Sequence, residues 1–340
     1  MEKHTGTEDE SNPNARTIEV LKQMMDYYDR TNEHWKTIAY RKAIAALKKR
    51  TRKITTKEEA LAIPFIGSRL AGKIEEIVFT NRLRRLENTN FDSADIALQL
   101  FLKIYGVGHS QASLWINQGH RTLNDLLTKA TLTTNQKIGI EHIDDFATRI
   151  PRDEVEHHGR IVRNAIHKED PAIEITIGGS CRRGAPDSGD VDFIITKPDA
   201  SMETLRTIIL DTVIPSLFQH HYLRHALASS TARSDGSKWH GCATLPGSKI
   251  WHRIDFLLVP HAEMGAALIY FTGNDIFNRS IRLLASRKGM RLNQRGLWTD
   301  VLRGGKRERM TQGALLESRD ERKIFGLLGV PWRPPEHRVC

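Results

Sequence analysis

This chain has few cysteines and no long apolar run. Its 340 residues include three cysteines, none of them in a CxxC pair. Neither a disulfide framework nor a zinc site is therefore predicted. No stretch of about 18 apolar residues occurs, and the first residues do not form an apolar signal segment. These absences predict a protein of a reducing compartment that is neither secreted nor inserted in a membrane.

Acidic residues are outnumbered by basic ones. Lys and Arg total 51 against 41 Asp and Glu, which gives a formal net charge of +10. A surface this basic favours a polyanionic partner, with nucleic acid as the first candidate. A basic surface that is merely solvated would have the same composition. The length predicts two or more domains.

Two acidic residues separated by one apolar residue form the most informative motif. Asp190 and Asp192 follow the glycine-rich stretch 178–184 and precede an apolar run. Alternate side chains of a strand point to one face, so the two carboxylates can converge. Hard divalent cations such as Mg²⁺ take oxygen ligands and would balance these like charges. Because glycines and arginines beside the motif can hold a polyphosphate, the pattern predicts metal-dependent nucleotidyl transfer.

A third carboxylate is expected near the attacking hydroxyl of such a reaction. Asp255 lies within the apolar run 251–259, which is predicted to be a central strand. A lone Asp in such a strand is costly unless it is paired or bound to a metal ion. A salt bridge to Arg253 or another arginine is the alternative, but beside the first motif we expect a metal ligand.

Two short turns, at 63–67 and 104–108, connect helical segments in the N-terminal half. Each precedes an amphipathic helical run and predicts a helix-hairpin-helix element, whose turn contacts a phosphate or a monovalent cation. One such turn alone is more often plain packing. From about residue 151, strand-like runs at 173–178, 191–196 and 253–259 alternate with helical segments, which indicates a mixed α/β or α+β composition.

In combination, these motifs resemble those of family X DNA polymerases. The similarity runs from about residue 17 to the C-terminus in one order and with similar spacing. Its motifs are GGSCRRG at 178–184, GDVD at 189–192, RID at 253–255 and YFTG at 270–273. The segments at 35–40, 104–106 and 241–247 are closer to the lambda type than to the beta type. Lambda-type members often carry an N-terminal BRCT module, which this sequence does not show; it is short like the beta type or lacks an upstream part.

The resemblance implies a multidomain α+β fold. Helical helix-hairpin-helix domains would precede a nucleotidyltransferase-type palm, a mixed sheet with helices, and then a C-terminal α+β subdomain. The implied order is a disordered tail at 1–14, a small lyase-type domain at 15–90 with the first hairpin, a DNA-gripping subdomain at 91–150 with the second, a catalytic palm at 151–262 and a subdomain for the nascent base pair at 263–340.

The resemblance also implies the roles of site residues. Asp190 and Asp192 would bind two Mg²⁺ ions, with Mn²⁺ as an alternative, and Asp255 would bind the catalytic ion near the primer 3′-hydroxyl. Two metal ions about 3.5–4 Å apart stabilise the attacking and leaving oxygens of an in-line displacement. Arg282 would contact the template strand. The incoming dNTP would be held by Arg149, Ser180, Arg183, Gly189, Tyr270, Phe271, Asp275 and Asn278, with the two aromatic residues as a steric gate against a 2′-hydroxyl.

A second activity is implied for the small domain. Lys73 matches the lysine that attacks the deoxyribose of a cleaved abasic site, after which β-elimination removes the 5′-deoxyribose phosphate. Arg69 lies one turn earlier on the same helical face. With Lys36 and Tyr40 it matches a pocket for that phosphate. The alternative is a solvated surface lysine.

The two hairpins differ in their match to the family pattern. Phe65 stands where the first glycine of the first hairpin usually sits, and its Cβ and ring restrict that turn, which disfavours a monovalent cation there. Gly72 stands where Glu is common before the lysine, and it weakens the helix by about 1 kcal/mol relative to Ala. The second hairpin keeps both its glycines. The residues that match its DNA contacts and its Na⁺ or K⁺ site are Gly106, Gly108 and the carbonyls of Leu102, Ile104 and Val107.

The leading interpretation is a template-directed repair polymerase that fills short gaps in base excision repair, end joining or both, with 5′-deoxyribose-phosphate lyase activity. Its expected partners are gapped or nicked duplex DNA with a 5′-phosphate, dNTPs, and repair or end-joining proteins, and no membrane. The alternatives are a template-independent terminal transferase and a non-catalytic scaffold that binds DNA ends. The polar segment 229–238 is of modest length for a loop that would occupy the template position, which favours template use. The basic run at 48–53 fits a nuclear address or, more simply, a helix end that contacts DNA phosphates. A nuclear location is therefore implied mainly by the resemblance to the family.

Overall fold

The structure, a computed structural model, describes residues 12–31, 33–86, 93–229, 237–301, 311 and 313–338. The chain forms two compact units, Met1–Glu141 and His142–Cys340. Among the described residues, no helix combines the length and the apolar character needed to cross a bilayer.

The first unit is built of helices. Their bounds are α1 Ala15–Arg30, α2 His34–Lys48, α3 Lys57–Leu61, α4 Ser68–Thr80, α5 Ser93–Phe101, α6 His109–Asn117, α7 Leu123–Lys129 and α8 Thr134–Glu141.

Local sequence signals explain where these helices begin. At α3, the hydroxyl of Thr56 accepts from the backbone N–H of Glu59, and the Glu59 carboxylate accepts from the backbone N–H of Thr56. The two residues thus form a capping box. The apolar stripes of α1, α2 and α4 meet in one core, where Leu21, Leu47 and Ile74 are fully buried. Each such side chain stabilises the fold by about 1.5–3 kcal/mol.

The prediction of a disordered tail at 1–14 is wrong for Asn14. Asn14 is buried, its side chain donates to the carbonyl of Arg52 at 3.0 Å, and it accepts from the N–H of Ile54 at 2.8 Å. Asn14 therefore belongs to the folded unit, because its side chain forms hydrogen bonds with the backbone of the connection between α2 and α3. Residues 1–11 lie outside the described residues.

The second unit combines helices with strands. Its helices are α9 Ile143–Ala147, α10 Arg152–Glu169, α11 Gly179–Arg182, α12 Met202–Arg206, α13 Ile214–Gln219, α14 Met264–Thr272, α15 Asp275–Arg287 and α16 Glu321–Leu327. A π-helical segment spans Thr207–Val213, and 3₁₀ turns span His261–Glu263 and Pro335–His337. Its strands are β1 Ile150–Pro151, β2 Glu174–Ile177, β3 Asp187–Ser188, β4 Val191–Thr196, β5 Leu223–Ser229, β6 Lys238–Ala243, β7 His252–Leu258, β8 Arg291–Asn293, β9 Gly296–Thr299 and β10 Ala314–Glu317.

A five-stranded sheet in the order β2-β4-β7-β6-β5 forms the centre of this unit. Strands β4 and β7 pair in parallel, and the other neighbours pair antiparallel. The three strands predicted from the sequence are β2, β4 and β7, and their observed ends lie within one residue of the prediction. Strands β8, β9 and β10 form a separate antiparallel sheet, and β1 pairs with β3.

The two faces of the central sheet are covered differently. Phe193 and Phe256 lie in the larger core cluster on one face. Ile194 and Leu257, which follow them, pack with Ala267 of α14 on the other. Since side chains alternate along a strand, residues 192 and 255 share the face that α14 covers.

Candidate active site

The parallel ladder between β4 and β7 aligns two of the predicted catalytic residues. Asp192 and Asp255 are direct partners across the two strands, and neighbouring strands lie about 4.8 Å apart. Asp190 precedes Asp192 by two residues, just before β4 begins. We call these three residues the carboxylate site.

The negative charges of this site strongly affect one another. Desolvation of the carboxyl raises the pKa of Asp192 to about 8, and the charges of Asp190 and Asp255 add to that rise. Desolvation also raises the pKa of Asp190, against the lowering effect of Arg253. Burial and mutual repulsion both oppose ionisation of these carboxyl groups. A bound divalent cation would relieve the repulsion, and carboxylate oxygens are ligands that hard divalent cations take.

Two of the three carboxylates hold basic partners in this structure. Asp190 Oδ2 lies 2.6 Å from a guanidinium nitrogen of Arg253, and Asp255 Oδ1 lies 2.8 Å from Nδ1 of His240. Among the described residues, no group of three or more His, Cys, Asp or Glu side chains is already arranged to hold a metal ion. Each of these ion pairs engages one oxygen of its carboxylate.

The ion pairs differ from the alternative that the sequence suggested. Arg253, considered as a partner of Asp255, pairs with Asp190 instead. The partner of Asp255 is His240, its direct neighbour across the antiparallel pair of β6 and β7. Sequence reasoning missed His240 because the run 238–243 was not identified as a strand beside β7.

A cavity of about 500 Å³ lies beside the carboxylate site. It is lined by every residue predicted to hold the dNTP and by two of the three carboxylates. From the predicted set, the lining residues are Arg149, Ser180, Arg183, Gly189, Asp190, Asp192, Tyr270, Phe271, Asp275, Asn278 and Arg282. Gly179, Thr272, Gly273, Asn274 and Arg279 also line it and were not predicted.

On one side of the cavity, the glycine-rich stretch packs closely on Asp192. Gly179 has a φ of +56°, and a Cβ built there would lie 2.6 Å from Asp192 Oδ2. The N–H of Gly178 donates to the carbonyl of Asp192 at 2.9 Å. Glycine is required here because any side chain would collide with the carboxylate in a conformation that L-residues disfavour.

Polar groups that suit phosphate recognition lie on the same side. The guanidinium of Arg149 donates to Asp187 Oδ1 at 2.6 and 2.9 Å. Arg183 donates to the carbonyl of Thr272. The hydroxyl of Ser180 donates to that of Ser188 at 2.8 Å. Arginine forks fit phosphate oxygens well, and Arg149 is about half exposed and accessible to a ligand.

The other side of the cavity is formed by the end of α14 and the start of α15. The rings of Tyr270 and Phe271 are perpendicular with centroids 4.9 Å apart. Asn278 donates to the carbonyl of Tyr270 at 2.7 Å, and the guanidinium of Arg282 lies 4.7 Å from the Tyr270 ring centre. The side chain of Asn274 caps α15 by accepting from the N–H of Phe277. This packing holds the predicted steric gate against α15.

A second cluster of predicted residues lies in the first unit. Nζ of Lys73 donates to the hydroxyl of Tyr40 at 2.6 Å and lies 5.9 Å from the ring centre of Tyr28. Nζ of Lys36 lies 4.9 Å from the same Tyr28 ring. The Tyr28 and Tyr40 rings are 5.3 Å apart, and burial raises the pKa of Tyr40. We call Lys36, Tyr40, Lys73 and Tyr28 the lysine pocket.

Tyr28 was not among the residues predicted for this site, although its ring lies near both lysines. Arg69 lies one turn before Lys73 on α4. The aromatic surface is the signal that could have identified the pocket, since cations pack on aromatic ring faces.

The two predicted hairpins adopt the same turn. Gly106 has a φ of +75°, and Phe65 at the matching position has a φ of +70°. The residue two places later, Gly108 or Gly67, caps the following helix with nearly identical dihedral angles. Phe65 therefore does not prevent the turn that its side chain was expected to restrict.

In the second hairpin, the carbonyls predicted for the monovalent cation belong to residues just after α5. The N–H of Val107 donates to the carbonyl of Ile104 at 3.1 Å. Leu102 follows Phe101, the last residue of α5.

Comparison with known proteins identifies the same parts in the same order. A helix-hairpin-helix domain matches residues 12–83, the fingers domain of DNA polymerase lambda matches 99–147, the DNA polymerase beta palm matches 149–261, and the DNA polymerase beta thumb matches 267–339.

Similar proteins include three DNA polymerases. DNA polymerase lambda of Rattus norvegicus is 37% identical over 330 residues, which cover 96% of this chain and 56% of the relative. DNA polymerase lambda of Arabidopsis thaliana is 34% identical over 332 residues, covering 96% of this chain and 62% of the relative. DNA-directed DNA/RNA polymerase mu of Homo sapiens is 26% identical over 349 residues, covering 95% and 68%.

The four matched domains follow one another from residue 12 to residue 339, and the chain belongs to family X of the DNA polymerases. The chain is similar to the lambda type. It spans 56% of the length of the Rattus norvegicus relative and 62% of the length of the Arabidopsis thaliana relative.

Proposed function

We propose that this protein is a template-directed DNA polymerase that fills short gaps by transferring nucleotides from dNTPs to a primer 3′-hydroxyl. The observation that carries the proposal is the alignment of Asp192 with Asp255 beside a cavity lined by all the predicted dNTP contacts. A binding scaffold without activity has no use for desolvated carboxylates whose mutual repulsion opposes folding.

The residues of the site divide the work of this reaction. Asp190, Asp192 and Asp255 would hold divalent cations, Mg²⁺ or Mn²⁺, which when bound stabilise charge on the attacking and leaving oxygens. Arg149, Ser180, Arg183 and Gly189 hold the triphosphate. The gate residues exclude a ribose 2′-hydroxyl, while Asp275, Asn278 and Arg282 orient the base pair.

In the first unit, we propose a 5′-deoxyribose-phosphate lyase centre. Nζ of Lys73, as the free amine, attacks the sugar aldehyde carbon of a cleaved abasic site, and the carbonyl oxygen leaves as water when the Schiff base forms. The hydroxyl of Tyr40 accepts a hydrogen bond from Nζ and orients the amine. Lys36 and Arg69 bind the 5′-phosphate. Lys73 lies on aromatic rings and bonds a buried tyrosine, which distinguishes it from a solvated lysine.

The proposed partners are gapped or nicked duplex DNA with a 5′-phosphate, dNTPs, and proteins of base excision repair or end joining. The second hairpin would hold Na⁺ or K⁺ through the carbonyls of Leu102, Ile104 and Val107, beside a DNA phosphate at Gly106 and Gly108. A nuclear location is proposed from the family and the basic run 48–53.

One experiment tests the main proposal. Extension of a primer across a one-nucleotide gap is compared with extension of the same primer as a single strand, with and without a 5′-phosphate on the downstream strand. We expect extension on the gap, stimulated by the 5′-phosphate. Equal extension without a template would instead indicate a terminal transferase. Residues 230–236, on which sequence reasoning based this choice, lie outside the described residues.

A further inference from the structure

Phe65 occupies a backbone conformation that does not suit it. Its φ of +70° lies in the left-handed region, where a bulky L-residue is a genuine outlier. The second hairpin makes the same turn with Gly106 at φ +75°, so the turn itself needs no side chain. A glycine at residue 65 would allow the same fold without strain.

Packing does not explain why the ring is there. The Phe65 side chain is 68% exposed, whereas its neighbours Ile63 and Ile66 are buried and anchor the hairpin in the core. An exposed ring gains little from the hydrophobic effect. A strained backbone at an exposed residue indicates that the side chain has a role other than stabilising the fold.

The surroundings of the ring indicate the chemistry of its partner. Nζ of Lys42 lies 5.4 Å from the centre of the Phe65 ring, so an aromatic face and a cation are presented together. Nucleic-acid-binding surfaces combine these two groups, because aromatic rings stack on bases while cations contact phosphates. A phenyl ring has no donor for a phosphate, so the base is its target.

We propose that Phe65 stacks on an unpaired base of gapped DNA, with Lys42 on the adjacent phosphate. The proposal rests on the proposed function, which makes gapped DNA the substrate. Bases inside a continuous duplex hide their faces against each other, whereas the template base in a gap exposes its face. The contact therefore distinguishes gapped from fully paired DNA.

Phe65→Gly separates this role from a structural one because stability and affinity should change in opposite directions. Removing the strained side chain should raise the Tm by a few degrees. The same variant should bind a one-nucleotide-gap duplex about tenfold more weakly than the wild type, with little change on a fully paired duplex of equal length. Affinity is measured by fluorescence anisotropy on the full chain, and stacking by quenching of 2-aminopurine at the unpaired template position.

Two further variants sharpen the test. Phe65→Leu keeps an apolar side chain but loses the ring, and it should bind gapped DNA as weakly as Phe65→Gly. Phe79→Ala removes another ring, 74% exposed on α4, and should leave the affinity unchanged. The proposal is overturned if Phe65→Gly or Phe65→Leu binds gapped DNA as tightly as the wild type, or if Phe65→Gly lowers the Tm. Extension of gapped DNA by the wild type tests the proposed function separately.

Discussion

The carboxylate site and the lysine pocket prepare their reactive groups in opposite ways. In the carboxylate site, strand register and burial force like charges together, so the groups destabilise the fold that holds them. In the lysine pocket, the ammonium group of Lys73 lies near aromatic rings and donates to a hydroxyl, contacts that favour the folded state. Removing the functional group should therefore affect stability with opposite signs in the two sites.

The largest effect is expected from Asp192→Asn. The amide cannot replace the anionic ligand, so nucleotide addition should fall by about 10³-fold or more, since the metal ions contribute several kcal/mol to the transition state. The unfolding free energy of the metal-free variant should rise at neutral pH, because the buried amide is neutral without the proton uptake that burial imposes on Asp192. Single-turnover extension and chemical denaturation measure the two quantities.

Asp211→Asn is the matched control, since Asp211 is an exposed residue of the same unit. It should change neither quantity. Nucleotide addition at the wild-type rate by Asp192→Asn would refute the assignment of the carboxylate site.

Lys73→Ala should have the next largest effect. Borohydride trapping of the protein on a cleaved abasic substrate should decrease by about 100-fold, because the nucleophile of the Schiff base is gone. Stability should fall slightly, as the ring contacts and the bond to Tyr40 are lost. Lys137→Ala, at an exposed lysine of α8, is the control, and trapping that is equal in both variants would remove Lys73 from the proposed role.

The pH dependence of stability should also distinguish the sites. The folded-state pKa of Asp192 is raised to about 8, so the folded protein keeps a proton there that the unfolded chain releases near pH 4. Stability from this group is therefore full below about pH 4 and is lost as the pH rises toward 8, by up to about 1.4 kcal/mol per pH unit. Denaturation in a chelating buffer should show this slope in the wild type and a weaker slope in Asp192→Asn. Equal slopes would mean that ionisation of Asp192 does not destabilise the folded state.

The smallest effect is expected from Gly72→Ala next to the lysine pocket. A Cβ at Gly72 meets no atom within 4 Å, and alanine is a better helix former by about 1 kcal/mol. The unfolding free energy should rise by up to that amount without loss of trapping. A lower stability would show that the space beside Lys73 is not open.

Sequence reasoning located the carboxylate site because strand alternation is a local property. The positions of Asp190 and Asp192 relative to β4 and of Asp255 in β7 follow from short patterns of apolar residues. The partners of these residues could not be predicted in the same way. His240 meets Asp255 only through the order of strands in the sheet, which depends on long-range pairing.

The first unit provides two more examples. Tyr28 shares the buried face of α1 with apolar residues, and helical periodicity alone does not indicate that two lysines lie near its ring. The turn at Phe65 could not be predicted because its backbone angle is set by the hairpin that anchors it, against the preference of the residue itself.

The proposed activity depends entirely on the register between β4 and β7. If the strands slipped by one residue, Asp255 would turn to the opposite face, and residues brought together from more than 60 positions apart in the chain would no longer meet. A molecule with the wrong register would therefore have no activity, rather than an activity of low accuracy. Under the proposed function, such a molecule would leave a gap unfilled rather than fill it with the wrong nucleotide.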